Sequence, residues 1–273
     1  RSIVRDGIMI TLLMAGMAIL PLSAGQELLV VPHRGLLHHA PENTLANFRA
    51  CLELGMGFEF DVQRAKDGEL VCIHDDTLDR TTNGKGRVAD FPLAAIRELD
   101  AGGWFSPRFK GEKVPTVEEV MGLVARHRHK AVLVAVDLKA KDVEAKVAAM
   151  AEKAGALEKL VFIGRAISEP AVRANITKTF PKAACAALAN MPADFDEALK
   201  APDASWVYFR FVPSAGQMAK VHRAGRKGFI AGTTVAGLEK ANWKAAATAS
   251  VDGLLTDHPL ELQEALRPSR PKD

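Results

Sequence analysis

Gly57-Phe58-Glu59-Phe60-Asp61-Val62, then a polar link carrying Asp67-Gly68, then Leu70-Val71-Cys72-Ile73, is the stretch on which the reading of the fold turns. The first segment predicts a strand. Side chains two apart on a strand leave the same face, so Glu59 and Asp61 point together. Asp67-Gly68 is a hairpin signal, so a second strand rather than a helix follows. Working outward, short apolar runs alternate with helical patterns. Strands are expected at residues 28–31, 131–138, 160–163, 183–188, 206–211, 228–231 and 251–255. A helix is expected over residues 44–54, with Asn43 or Thr44 as N-cap and Gly55 at its exit, and another over 143–154. Alternating strands and helices imply parallel β-structure with right-handed crossovers. Polar residues at the strand ends point to an α/β protein of the irregular (β/α)8 TIM-barrel type, lacking the helix after its second strand.

Nine strand candidates compete for eight places, so one lies outside the barrel or is not a strand. Residues from about 80 to 115 are rich in Gly, Pro and polar side chains. They are too long for an ordinary connection and are expected to form a small insertion over the active-site mouth. Regular structure resumes after Pro115, where Thr116 and Glu119 have capping-box spacing.

The chain has 273 residues, 48% hydrophobic and 25% charged, a normal size for one barrel domain. Its formal charge of +3, without a Lys/Arg block, excludes a phosphate-backbone grip, so no nucleic-acid partner is expected. Cys51, Cys72 and Cys185 lie far apart in apolar stretches and read as buried small hydrophobes. At the start, Arg1 and Arg5 precede an apolar run over residues 8–20 and the small residues Ser23-Ala24-Gly25. This is the form of a secretory signal peptide over residues 1–25, too short in its apolar part for the ~20 residues of a membrane span. A secreted or periplasmic location follows as the expectation, with an uncleaved anchor as the alternative and no stable membrane span after processing. Residues 26–273 then form the barrel.

The chemistry lies in His33, Glu59, Asp61, His74, Asp137 and Lys139. Asp137 and Lys139 repeat the two-apart spacing on another strand. Either they pair with each other, or Glu59, Asp61 and Asp137 form an oxygen-only set suited to one divalent cation, Mg2+ or Ca2+. His33 and His74 end different strands and can act as acid and base near neutrality. Arg34 and Lys139 can offset the charge of a phosphate. His38 and His39, being adjacent, read as loop residues. His127 and His129, in the run Arg126-His127-Arg128-His129-Lys130, read as a solvated helix end favoured by the helix dipole.

Taken in order, these residues resemble the glycerophosphodiester phosphodiesterase family. The likeness runs through His33-Arg34-Gly35, Pro41-Glu42-Asn43-Thr44, Glu59-Phe60-Asp61-Val62-Gln63 and Lys66-Asp67-Gly68. It continues through His74-Asp75, Leu78-Asp79-Arg80-Thr81-Thr82, Gly103-Trp104-Phe105 and Phe109-Lys110-Gly111-Glu112, and closes on residues 251–257 and Pro259. The resemblance implies hydrolysis of small-molecule glycerophosphodiesters to glycerol 3-phosphate and an alcohol, with water or the glycerol hydroxyl as nucleophile. It implies His33 and His74 as the acid–base pair, Glu59 and Asp61 as metal ligands, and Arg34 and Lys139 on the phosphate. Glu42 would organise the site rather than react. The chain departs from the family in having Asp137 where Glu is usual and Ile163-Gly164-Arg165 where Ser-Phe follows the fifth strand. A tryptophan is also missing from the turn Gly232-Thr233-Thr234-Val235, so a pocket wall would need Trp104, Phe105 or Trp206. Two other functions suit the same residues. One is a lysophospholipase D or sphingomyelinase D, which needs an apolar trough at the mouth. The other is a barrel that binds phospho-ligands without reacting.

Overall fold

The computed structural model describes residues 28–128, 131–232 and 237–267. The segment expected to be a signal peptide, His129 and residues 233–236 lie outside the described residues. Nine strands are formed among the described residues: β1 (Leu29–Pro32), β2 (Phe58–Arg64), β3 (Leu70–Cys72), β4 (Val134–Leu138) and β5 (Leu160–Gly164), then β6 (Ala186–Ala189), β7 (Trp206–Phe209), β8 (Lys227–Ile230) and β9 (Gly253–Thr256). Eight are mutually parallel in the order β2-β4-β5 and β6-β7-β8-β9-β1. A single parallel bridge, Phe162 to Cys185, joins the two runs between β5 and β6. This is the expected TIM-type barrel, and its β1/β2 seam carries no backbone ladder among the described residues.

The ninth strand explains the surplus. β3 pairs antiparallel with β2, Val62 opposite Cys72 and Arg64 opposite Leu70, so it leaves the barrel as one arm of a hairpin. Gly68, at φ +83°, makes the turn that Asp67-Gly68 signalled. The 131–138 strand is shorter than expected and starts at Val134. The helix Leu45–Glu53 is capped by Thr44, whose side chain accepts from the Asn47 N–H. Helix Val117–Arg126 opens with the complete Thr116/Glu119 capping box.

Two apolar layers divide the barrel. Val31, Leu133, Ala135, Val161, Ile163, Ala186, Trp206, Phe229 and Leu255 fill its interior. A larger set, including Phe48, Phe58, Phe60, Val136, Phe162 and Trp243, seals the strands against the helices. Burial of each large side chain contributes roughly 1.5–3 kcal/mol before entropy is counted. The segment after β3 has its own small core of Leu78, Val88, Ile96, Ala101 and Val114, closed onto Ala65, Val71 and Ile73 of the hairpin. It contains one helix, Leu93–Glu98, and two short 3-10 turns. All three cysteines are buried thiols, as expected. The basic run at 126–130 differs from the expectation at its first histidine. His127 is only half-exposed, and its carbonyl, with that of Val124, takes the Lys159 ammonium. A side chain from just ahead of β5 therefore meets the carbonyls of this helix end. No helix among the described residues is long and apolar enough to cross a membrane.

Candidate metal centre and active site

The parallel register of β2 and β4 places Asp61 directly beside Asp137, and Glu59 one layer deeper beside Ala135. The three carboxylates present oxygens that all lie within 4.8 Å of one another. Glu59 and Asp61 are buried, at 1% and 0% exposure. Each of the three keeps one buried oxygen without a hydrogen-bond donor: Glu59 Oε1, Asp61 Oδ1 and Asp137 Oδ1. Buried oxygens aimed at a common point and lacking donors suit a hard cation, which carboxylates satisfy without cysteine or histidine. The cluster is therefore able to hold a metal ion.

Electrostatics say the same. Burial, reinforced by Asp61 and Asp137, pushes the Glu59 carboxyl well above its ordinary range, with the Arg34 N–H and charge pulling the other way. Asp137 is also raised, first by burial, with Lys139 pulling the other way. Lys139 bridges Asp137 Oδ2 at 2.8 Å and Asp61 Oδ1 at 3.2 Å. The latter contact has an ion pair's distance but not a hydrogen bond's geometry, so Asp61 Oδ1 still lacks a donor. Burial disfavours the ammonium, yet the surrounding carboxylates outweigh it and raise Lys139 overall. Asp137 and Lys139 thus do pair, and Asp137 faces the cluster as well.

The β1 loop closes the seam through side chains. The Arg34 N–H donates to Glu59 Oε2 at 2.8 Å, and its guanidinium lies 3.6 Å from Asp61. Asn43 grips Asp61 twice, Nδ2 to Oδ2 at 2.8 Å and Oδ1 from the backbone N–H at 3.1 Å. Both Arg34 and Asn43 adopt left-handed backbone, φ +56° and +55°, a conformation that non-glycine residues take at a cost of order 1 kcal/mol. The fully buried Asn47 holds the loop: it accepts from the Leu36 N–H at 2.6 Å and donates to the Ala40 and Pro41 carbonyls. A side chain at Gly35 would run into Asn47, its Cβ falling 2.3 Å from Oδ1.

The two histidines flank this centre. His33 precedes Arg34, and its Nδ1 meets Asp257 Oδ1 at 2.7 Å. His74 follows Ile73, whose N–H donates to the Asp61 carbonyl, and its Nδ1 meets Asp75 Oδ1 at 2.8 Å. The His74 charge also bears on Asp137. In each ring the Nδ1 contact leaves Nε2 for other partners. Arg80 chelates Glu42 and Asp75 together, at 2.7–2.9 Å, and Glu42 also meets Arg34 at 3.3 Å.

Residues 33–261 match the glycerophosphoryl diester phosphodiesterase family. The chain belongs to that family. It is 55% identical over 97 residues to a glycerophosphodiester phosphodiesterase of Caldanaerobacter subterraneus subsp. tengcongensis, a match covering 35% of this chain and 40% of the relative. The chain thus spans less than half the length of that curated relative. Among solved structures, a glycerophosphodiester phosphodiesterase from Agrobacterium tumefaciens is 29% identical with a TM-score of 0.73, covering 87% of this chain and all of the other. An Oleispira antarctica phosphodiesterase in complex with the product sn-glycerol-3-phosphate is 24% identical, with a TM-score of 0.70 over 87% of this chain and 96% of its own.

Within this family member, all seven residues singled out in the sequence gather around the carboxylates: Glu59 and Asp61 on β2, Asp137 and Lys139 at and just past the end of β4, His33 and Arg34 just past β1, and His74 past β3. Sequence reasoning gave no role to Asp257, Asn43 as a partner of Asp61, or Arg80. The departure at 164 gains a steric meaning. A Cβ on Gly164, at φ +66°, would stand 2.0 Å from Asp137 Oδ1, so glycine here is what leaves room for the Asp137 carboxylate. The aromatic substitutes fare differently. Trp206 opens β7 and packs against Phe229 inside the barrel, at the end away from the carboxylates, so it is no wall of this site. Trp104 is 42% exposed and lies edge-on to Phe105.

Proposed function

We propose that the protein hydrolyses glycerophosphodiesters to glycerol 3-phosphate and an alcohol, with His33 and His74 as proton carriers. One divalent cation, Mg2+ or Ca2+, would be held by Glu59, Asp61 and Asp137. The observation that carries this reading is the trio of buried carboxylates, each with an oxygen lacking a donor. When ionised, they exceed Arg34 and Lys139 by one negative charge. A dication reverses that sign, and a monoanionic diester then balances it. The cation, when bound, would polarise a phosphoryl oxygen and offset charge building on it.

The chain's own residues supply the rest. One imidazole Nε2 accepts the proton of the nucleophile, water or the glycerol hydroxyl, and the other protonates the departing alkoxide, which is too basic to leave unaided. Arg34 and Lys139 lie beside the carboxylates and lower the repulsion between nucleophile and ester. The glycerol 3-phosphate of the Oleispira structure is the compound this reading assigns as product. The larger apolar hollow, about 500 Å³, lies between the C-terminal ends of helices Leu45–Glu53 and Val117–Arg126, with Leu52 and Leu123 in its wall. That is the end of the barrel opposite the carboxylates, so it offers no trough for the acyl chain of a lysophospholipid.

The test is direct. Purified protein with Mg2+ or Ca2+ should release glycerol 3-phosphate from glycerophosphocholine and leave lysophosphatidylcholine largely intact. A chelator should abolish turnover and the added ion restore it. Calorimetry should show ion binding that Asp61→Asn weakens at least tenfold or so. Undiminished turnover in chelator, with no ion bound, would overturn the reading.

A further inference from the structure

We propose that the hollow beside the carboxylate trio recognises an anionic group on one alcohol arm of the diester, with Arg210 as its specificity-determining residue. This inference rests on the phosphodiesterase reading and adds a substrate class to it. The hollow measures about 360 Å³, within the usual range for a small-ligand site. Asp137 and Lys139 form the side it shares with the metal centre. Arg165, Tyr208 and Arg210 line it further on. These residues follow or end β4, β5 and β7, so the hollow opens on the same rim as the carboxylates.

The charges in this space are unequal in their freedom. Lys139 is paired with Asp61 and Asp137. Arg165 is gripped by both oxygens of Glu169, at 2.8 and 2.5 Å. Arg210 makes no side-chain hydrogen bond or ion pair among the described residues, while its N–H to the Ala189 carbonyl fixes the base of the side chain. Asp137 is the only carboxylate in the lining, and it already faces Lys139 and the cluster. Tyr208 stays a neutral phenol, because burial, and then the charge of Asp137, push its ionisation upward. The space therefore presents an unshared guanidinium fork, two further cations and a hydroxyl. A carboxylate matches that fork in two hydrogen bonds, whereas a trimethylammonium group meets three cations and one carboxylate that Lys139 already holds.

Glycerophosphoserine and glycerophosphoethanolamine differ by one carboxylate and separate this idea from general catalysis. With saturating Mg2+ or Ca2+, kcat/KM should favour the serine ester by about tenfold, the worth of one charge-assisted pair. Arg210→Gln should bring the ratio to within about twofold of unity, and Arg210→Lys should keep part of it. Arg210 is exposed, so these variants are expected to fold. A wild-type ratio near one, or a ratio that Arg210→Gln leaves unchanged, overturns the subsite. Calorimetric titration of the same proteins with both diesters decides the matter independently of turnover. If neither diester is cleaved, the phosphodiesterase reading fails. The subsite then stands only if the serine compound binds about tenfold more tightly and Arg210→Gln removes the difference.

Discussion

His33 and His74 are tied in the same way, Nδ1 to an aspartate oxygen, yet the two aspartates are held very differently. Asp257 arrives from 224 positions further along the chain, and His33 is its only charged partner among the described residues. Asp75 is the neighbour of His74 in sequence and is clamped by Arg80 through Nε and Nη2. That hydrogen-bonded guanidinium holds the Asp75 carboxyl well below the usual carboxylate range. Arg80 is itself locked by Glu42, which raises its hold on the proton further. A carboxylate already shared with a guanidinium lends less to a positive imidazole than an unshared one. The asymmetry predicts a division of labour: His33, backed by the unshared Asp257, accepts the nucleophile's proton, and His74 donates to the leaving alcohol.

The largest effects follow from removing either ring. His33→Ala and His74→Ala should each lower kcat/KM on glycerophosphocholine by about 10²- to 10⁴-fold, the usual worth of one positioned acid or base. A substrate with a p-nitrophenol leaving group then separates them, since that phenolate departs without a proton. Much of the activity of His74→Ala should return on this ester, and that of His33→Ala should not. The opposite pattern of rescue would exchange the roles.

Swapping the aspartates tests the comparison one step further out. Asp257→Asn should cost about 10- to 100-fold in kcat with little change in KM, because an amide neither orients nor stabilises the imidazolium as a carboxylate does. Asp75→Asn should cost less in turnover, below about tenfold, since Arg80 already screens that charge. Its larger consequence should be structural: Arg80 loses one of its two carboxylates, and the segment after β3 loosens. The partly exposed pair contributes at most about 1 kcal/mol, so the shift in thermal midpoint will be small. Equal losses in kcat from the two substitutions would show that Arg80 does not divide the dyads.

These dyads also mark where the sequence was legible. Glu59 and Asp61 announce a shared face through a spacing of two, and Asp67-Gly68 announces the hairpin, because both rules act within a few residues. The capping box at Thr116 and Glu119 is equally local. Asp137 beside Asp61 depends on the register of two strands 76 positions apart, so its spacing from Lys139 left two readings open, a pair with Lys139 or a place in the carboxylate set. Asp257 carries no local sign of its contact with His33, since that contact exists only when β9 lies beside β1. Asn43 was readable as a cap. Its left-handed backbone instead turns the amide toward Asp61 and leaves capping to Thr44. Trp206, one of three candidate aromatic walls, opens the strand expected over residues 206–211, and chemistry at the C-terminal strand ends puts that position at the far end of the barrel.

The smallest effect expected is one of pH on stability, and it sets the carboxylate trio against the Asp75 clamp. Glu59 and Asp137 have folded values raised by burial, so between the unfolded value near ~4 and the folded one the native state binds more protons than the unfolded chain. Without a metal ion, the stability they confer is therefore present at low pH and is lost as pH rises through that window. Asp75 is depressed and acts in the opposite sense: its contribution is present above about pH 4 and disappears as pH falls through its folded value. Chelator-treated protein should thus lose thermal midpoint as pH is raised above about 4, the unfolded carboxyl value, by a few degrees for each kcal/mol. Asp75→Asn should leave that slope unchanged, and Glu59→Gln should flatten it. Adding Mg2+ or Ca2+ should raise the midpoint most at the alkaline end, where the carboxylates need no proton displaced. A midpoint that rises with pH in chelator would show that burial does not govern Glu59 and Asp137, and would remove the electrostatic reason for a cation there.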